Sequence, residues 1–168
     1  MKKCFNAISL ILISICIAGC EEFVSFDYLF TDKYDVVYCF IPDRMETWVK
    51  DTTICFSKEE LRLLRLLDWG DGTKRGQISL GLDTLDHLFD YEWQCDTVSF
   101  FIFDVNVVDT CSWDDIVQNY WVLQRYDFTK EDLDRIRCQI SYPPSPEMKD
   151  IRMWPPYEEA IKQHTENR

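Results

Sequence analysis

Thr97-Val98-Ser99-Phe100-Phe101-Ile102-Phe103, continuing through Asp104 to Val108, is the most β-prone stretch of the chain, dense in β-branched and aromatic residues. Val98 to Phe103 is apolar almost without a break. A half-exposed strand would alternate apolar and polar residues, so this run is expected at the centre of a sheet covered on both faces. The next segment reads as a helix. Ser112-Trp113-Asp114-Asp115 gives an N-cap and two acids for the positive end of a helix dipole. Trp113, Ile116, Val117 and Tyr120 then recur at the spacing of one helix face.

Working outward, Trp121 to Tyr126 reads as a strand, Thr129-Lys130-Glu131-Asp132 caps a short helix carrying Leu133 and Ile136, and Cys138 to Tyr142 reads as a last strand. Upstream, Val36 to Ile41 stops at Pro42 as a buried strand, and Thr52 to Phe56 reads as a second. Ser57-Lys58-Glu59-Glu60 is a capping box. With Leu61, Leu64 and Leu67 on one face and Leu63 and Leu66 beside it, it predicts a helix over about residues 58 to 67. Asp68-Trp69-Gly70-Asp71-Gly72 breaks that helix as a turn. Gln77 to Leu82 follows as a strand, and Asp83 to Trp93 as a helix capped by Asp83, with Leu85, Leu88 and Phe89 inward.

Alternating strands and helices predict an α/β fold: a single layered domain over residues 36–142, with a mixed central sheet and short flanking helices. Residues 143–168 contain Pro143-Pro144-Ser145-Pro146 and Trp154-Pro155-Pro156-Tyr157. Proline fixes φ and removes a donor, so this segment is expected as a Pro-rich tail packed through Met153, Trp154 and Tyr157 before a terminal helix or fray.

The amino terminus carries a targeting signal. Lys2 and Lys3 precede a mainly apolar run from Phe5 to Ile17, shorter than the roughly twenty residues that span a bilayer core. It reads as an export signal over residues 1–19. Ile17-Ala18-Gly19-Cys20 resembles the lipobox of bacterial lipoproteins: a branched apolar residue, two small ones that fit a peptidase cleft, and a thiol that accepts diacylglycerol. The resemblance implies cleavage between Gly19 and Cys20 and acylation of Cys20. Residues 20–35 are then an anchor and tether, and because Phe23, Val24, Phe26, Tyr28, Leu29 and Phe30 are too apolar for a purely solvated linker, part of it is expected to dock on the body.

Composition excludes some partners. Aromatic residues make up 15% and hydrophobic residues 46%, so the body can bury a core. The formal charge of −12 grows two units more negative when Lys2 and Lys3 leave. Nucleic acid is therefore not expected, because its binding rests on cations that neutralise phosphates. Anionic lipid is repelled too, which leaves the acyl chains as the membrane contact. Cys39, Cys55, Cys95, Cys111 and Cys138 lack any C-x-x-C spacing, so a redox dithiol or zinc knuckle has no motif behind it. Most sit in apolar runs and read as small buried hydrophobes. A Cys39–Cys55 disulfide is the pairing considered.

Catalytic motifs are missing: there is no G-x-S-x-G, H-E-x-x-H, P-loop or G-x-G-x-x-G. His87 and His164 are the two histidines, one read as half-exposed on a helix, the other in a fraying terminus. Asp68 with Asp71, Asp83 with Asp86, Asp114 with Asp115, and Asp132 with Asp134 are carboxylate pairs, each at a turn or first helical turn where acids serve as caps. No metal or cofactor is expected. The tryptophans could form a sugar-stacking platform, but core packing is the simpler reading.

Two resemblances add location. Cys20-Glu21-Glu22 is similar to the acidic signal after the acylated cysteine that sends Bacteroides-type lipoproteins to the cell surface. Asp96 to Phe103, Ser112 to Ile116, Val122 to Asp127, Ile140-Ser141-Tyr142-Pro143-Pro144 and Trp154-Pro155-Pro156-Tyr157 resemble a family of small lipoproteins from Bacteroidota. Cys138 stands where most of that family carries tryptophan. The family has no assigned activity, so the resemblance carries over no catalytic residue. The expected function is a lipid-anchored, non-catalytic binding or structural module of the outer membrane, facing the exterior or, alternatively, the periplasm, with a protein or glycan partner. A small carboxylate-based glycan hydrolase is the runner-up, and a thioredoxin-like redox domain comes third.

Replacing the acylated thiol tests the anchor directly. Cys20→Ser is expected to abolish labelling by a fatty-acid probe in cells and to leave unprocessed precursor. Equal labelling of both proteins would remove the lipoprotein reading.

Overall fold

The computed structural model describes residues 24–30, 36–42, 54, 57, 64–65, 67–68, 74–79 and 84–166. The expected signal, the lipidation site Cys20 and the pair Glu21 and Glu22 lie outside them. The elements run β1 (Ser25–Phe30), β2 (Val36–Pro42), β3 (Leu64–Arg65), β4 (Leu67–Asp68), β5 (Lys74–Ser79), α1 (Leu85–His87, passing into a π-helical turn Leu88–Trp93), β6 (Thr97–Asp104), α2 (Val105–Thr110), α3 (Trp113–Asn119), β7 (Gln124–Thr129), α4 (Lys130–Arg135), β8 (Gln139–Tyr142), β9 (Arg152–Trp154) and α5 (Tyr157–Glu166). Among them, no helix is long and apolar enough to cross a membrane.

The fold is α/β, a single domain with a mixed sheet and short helices. Its strands divide between two sheets, a distinction the sequence pattern does not make. One is four-stranded and mixed in the order β4-β5-β1-β8, with β1 parallel to β8. The other is five-stranded and antiparallel in the order β3-β2-β6-β7-β9. The apolar run at Val98–Phe103 forms β6, central in the second sheet and buried on both faces as expected. On one face, Val98, Phe100 and Ile102 meet Phe26, Tyr28 and Phe30 of β1 and Ile140 and Tyr142 of β8. On the other, Phe101 and Phe103 meet Ile54, Val108 of α2 and Ile116 of α3. The result is three layers: mixed sheet, antiparallel sheet, helices.

Caps place the helices. Ser112 Oγ accepts from Asp115 N–H at 3.1 Å, and Thr129 and Asp132 complete a capping box at the start of α4. Both starts were legible. The β-prone stretch continues in sequence to Val108, but β6 ends at Asp104, whose carboxylate accepts from Asn106 N–H at 2.7 Å and turns the chain into α2. Before α1 the cap is Thr84, whose hydroxyl accepts from His87 N–H at 3.1 Å, and not the expected Asp83.

Other expectations change. Of the helix predicted over 58 to 67, every described residue is strand: Leu64–Arg65 pairs with β2 and Leu67–Asp68 with β5. A leucine run satisfies period 2 as readily as period 3.6, and here pairing partners decide. The stretch read as a tether contains β1, which pairs with both β5 and β8 and buries Phe26, Tyr28 and Phe30. The domain therefore begins before Ser25. The strand predicted at Trp121–Tyr126 is shifted to Gln124–Thr129, because Tyr120 closes α3 at φ 49° and the chain needs Trp121 to Leu123 to turn back. In the Pro-rich segment after β8, β9 joins β7, and Met148, Ile151 and Ala160 are buried.

Several ionisable groups are buried neutral between the sheets. Burial pushes the Cys138 thiol from 9.0 up to about 11 and the Tyr38 hydroxyl from 10.0 up to about 12. It also raises Tyr28 and Tyr126, the latter donating to Ser141 O at 2.8 Å. Below about pH 8 these groups are protonated in folded and unfolded chains alike, so their contribution is complete. As pH rises, the unfolded chain releases protons that the folded one keeps, and stability falls until the raised values are passed. The urea midpoint should hold steady up to about pH 8 and decline above it to about pH 11, with Cys138→Ala moving the onset toward about 9. A midpoint unchanged at the alkaline end would contradict this.

Candidate functional site

Alternation along β1 puts Phe26, Tyr28 and Phe30 inward, so Asp27 and Leu29 must face outward. Leu29 is 41% exposed. Opposite them stand Gln77 of β5 and Gln139 and Ser141 of β8. These residues floor an open groove of about 770 Å³, walled by Arg135, Ile136 and Arg137 from the α4–β8 turn and by Ser145 and Glu147. The turn is tightly held: Arg137 N–H donates to Asp134 O at 3.0 Å, Cys138 N–H to Leu133 O at 2.8 Å, and Asp27 N–H to Cys138 O at 3.0 Å.

Most groove polar groups already have partners. Gln77 Nε2 donates to Asp27 Oδ1 at 3.0 Å. Ser141 Oγ accepts from Ser145 N–H at 2.9 Å. Arg135 pairs with Asp132 at 2.8 Å and with Asp150 at 3.7 Å. The Glu147 carboxylate is held below its ordinary range by its own backbone N–H and by the Ser145 hydroxyl. Glu147 is thus kept ionised, the wrong form for a proton donor.

A second polar cluster lies on the helix-covered face of the antiparallel sheet. Ser99 Oγ and Arg125 Nε both donate to Asp127 Oδ1 at 2.7 Å, Arg125 Nη2 reaches Ser99 Oγ at 3.3 Å, and Arg152 Nε lies 3.5 Å from Asp127 Oδ2. Ser99, Arg125 and Asp127 are all at most 8% exposed. Burial alone would lower the Arg125 pKa, but Asp127 and Tyr120 outweigh it and hold the guanidinium charged. Its carbon sits 5.3 Å over the Phe101 ring. Ser99 donates its hydroxyl proton to a carboxylate that is already paired with arginine. The cluster ties β6, β7 and β9 together.

The sequence candidates scatter. Asp132 serves the capping box and Asp115 accepts from Ser112 Oγ at 2.6 Å; Asp86 pairs with Lys130. Asp71 and Asp83 lie outside the described residues. Among the described residues, no group of His, Cys, Asp and Glu could hold a metal ion. His87 is exposed and stacks on Tyr91 at 5.2 Å. His164 is not frayed: it meets Tyr142 edge-on at 4.7 Å, beside a cavity of about 200 Å³ bounded by Trp154, Pro155 and Glu159. Trp93, Trp113 and Trp154 pack on Phe26, Phe103 and Tyr120, while Trp121 is 43% exposed. A Cys39–Cys55 disulfide falls outside the described side chains. The thiol of Cys138 is raised, the opposite of what a redox nucleophile needs. Sequence reasoning missed the groove, because its residues come from β1, β5, β8 and the loop after it.

Removing Arg125 leaves Asp127 with only the Ser99 hydroxyl and the more exposed Arg152. Arg125→Met should therefore cost about 1.5–3 kcal/mol in urea denaturation, and adding Asp127→Leu should recover part of that loss. A single variant as stable as wild type would show that the cluster does not hold the sheet.

No family model, curated protein or solved structure matches this chain.

Proposed function

We propose that the chain is a lipid-anchored, non-catalytic binding module on the outer face of the outer membrane, presenting the groove over its mixed sheet to a ligand. The groove carries the reading: it is open, lined by amides, hydroxyls and arginines, and its Glu147 is held ionised. A general acid needs a carboxyl kept protonated near neutral pH, and Glu147 is shifted the other way. The anchor rests on Ile17-Ala18-Gly19-Cys20, and the outward orientation on Glu21 and Glu22. Because β1 already begins at Ser25, the extended chain from Cys20 reaches at most about 17 Å. The domain then sits against the bilayer and not on a stalk.

A carboxylate-based glycan hydrolase is the second reading, favoured by Asp27 and Glu147 lining one groove. It requires turnover of a glycan that the first reading only binds. The redox alternative has the raised Cys138 thiol against it.

Orientation is testable on intact cells. Changing Glu21 and Glu22 to Ala should leave the melting curve within about 0.5 kcal/mol of wild type, since both precede the first strand at Ser25. External protease should degrade wild type and spare the variant. Equal degradation would place the surface signal elsewhere, and sparing of both would overturn the outward orientation.

A further inference from the structure

We infer that the cavity beside α5 binds a small primary ammonium group, with the Glu159 carboxylate as its counter-ion. The site shares no lining residue with the groove and goes beyond the binding reading given above. Its walls are fixed by contacts made for other reasons. Trp154 pairs in register with Arg125 of β7, and its ring meets Tyr120 edge-on at 4.7 Å. Gln124 Nε2 donates to the Trp154 and Pro155 carbonyls at 3.1 Å each, which pins the chain as it enters α5. Ala160 is buried and holds the helix down. Glu159 and Gln163, one turn apart, then stand on one side of it, with Gln163 Nε2 donating to Glu159 Oε1 at 3.2 Å.

Charge selects the sign of the ligand. Among the described residues lining the cavity, Glu159 is the one carboxylate, and there is no lysine or arginine. Its hydrogen bond comes from a neutral amide, which leaves its negative charge uncancelled. The lysines that reach α5 are drawn to other acids: Lys149 lies 3.5 Å from Glu158, and Lys162 lies 3.7 Å from Glu166. Behind the wall, Gln124 Oε1 is buried and accepts no hydrogen bond from the described residues. The negative end of an amide dipole therefore stands uncompensated beside the cavity, where a low dielectric strengthens its effect.

Size and lining narrow the cation. About 200 Å³ holds a handful of waters, less than the roughly 300–1,000 Å³ of a site for a drug-sized ligand, so a head group fits and a large ligand does not. A calcium ion needs six or more oxygens around it, and the described residues supply no such group. Tyr142 and Trp154 give the cavity aromatic walls, which favour a cation over an anion. A primary ammonium brings three donors for the Glu159 and Gln163 oxygens, and its alkyl stem matches Val122, Leu123 and Pro155.

An NMR titration of the full-length chain in nonionic detergent, at pH 8 where an ordinary imidazole is uncharged, tests this. The probes are n-butylammonium, 1-butanol and butyrate, which share a stem and differ in charge, and tetramethylammonium, which has the charge without the donors. n-Butylammonium should shift the signals of Trp154 and α5, and each of the others should bind at least about tenfold more weakly. Glu159→Gln should bring n-butylammonium down to the level of 1-butanol. Glu158→Gln removes the same net charge and another first-turn acid, and should leave binding unchanged. Equal binding of any two probes in the wild-type chain, equal loss in both variants, full binding by Glu159→Gln, or shifts confined to residues outside the cavity would each overturn the assignment.

Discussion

The stack of Tyr28 on Phe100, centroids 5.5 Å apart and rings within 5° of parallel, is the contact on which the rest of the molecule depends. Tyr28 comes from the mixed sheet, Phe100 from the centre of the antiparallel one. Tyr38 closes on both, at 4.5 Å and 5.2 Å, and Tyr126 continues the layer at 6.4 Å from Phe100. Such pairs add about 0.5–1.5 kcal/mol each beyond buried area. More important is what they fix. Because side chains alternate along a strand, seating Tyr28 inward forces Asp27 and Leu29 outward. A slip of one residue would bury Asp27 and erase the groove floor. The aromatic layer therefore sets the register from which the candidate site follows.

Elements whose local signals agree with their tertiary setting were legible in the sequence. At β6, an unbroken apolar run ends up between two cores, and at α3 and α4 a cap precedes a helical apolar stripe. Where local and tertiary signals diverge, the reading failed for identifiable reasons. Leu64 and Leu67 carry no information about period, so pairing with β2 and β5 decides their state. Asp104 looks like the end of a strand because Val105, Val107 and Val108 are β-branched, yet its side chain starts α2. In β7, Gln124, Arg125 and Asp127 look solvent-exposed by type but are buried: Arg125 pairs with Asp127, and Gln124 Nε2 donates to the Trp154 and Pro155 carbonyls, while Gln124 Oε1 and Arg125 Nη1 have no partner among the described residues.

The site was less legible than the fold. Asp27 and Gln77 are far apart in sequence, and no local pattern announces that β1 will be flanked by β5 and β8. Nor does the sequence show that Arg137 adopts a positive φ, since glycine or asparagine would be the usual marker. The proposed location rests on a different kind of signal. A lipobox such as Ile17-Ala18-Gly19-Cys20 resembles would be read from an unfolded segment, so that proposal does not depend on tertiary structure.

Acidity has a structural use in this fold. Short helices have many ends for their length, and each N-terminus favours an acid because its first amides lack intrahelical partners. Asp104, Asp115 and Asp132 all bind such groups or the capping residue itself, and Asp86 engages Lys130. These few of the chain's 30 acids help to stitch short helices onto two sheets. The net charge of −12 disfavours phosphate backbones and anionic lipid at a distance. Hydrogen bonding in the groove does not reverse that sign, because Asp27 and Glu147 accept from neutral donors, which do not cancel a carboxylate's charge, and Arg135 is already paired with Asp132 and Asp150.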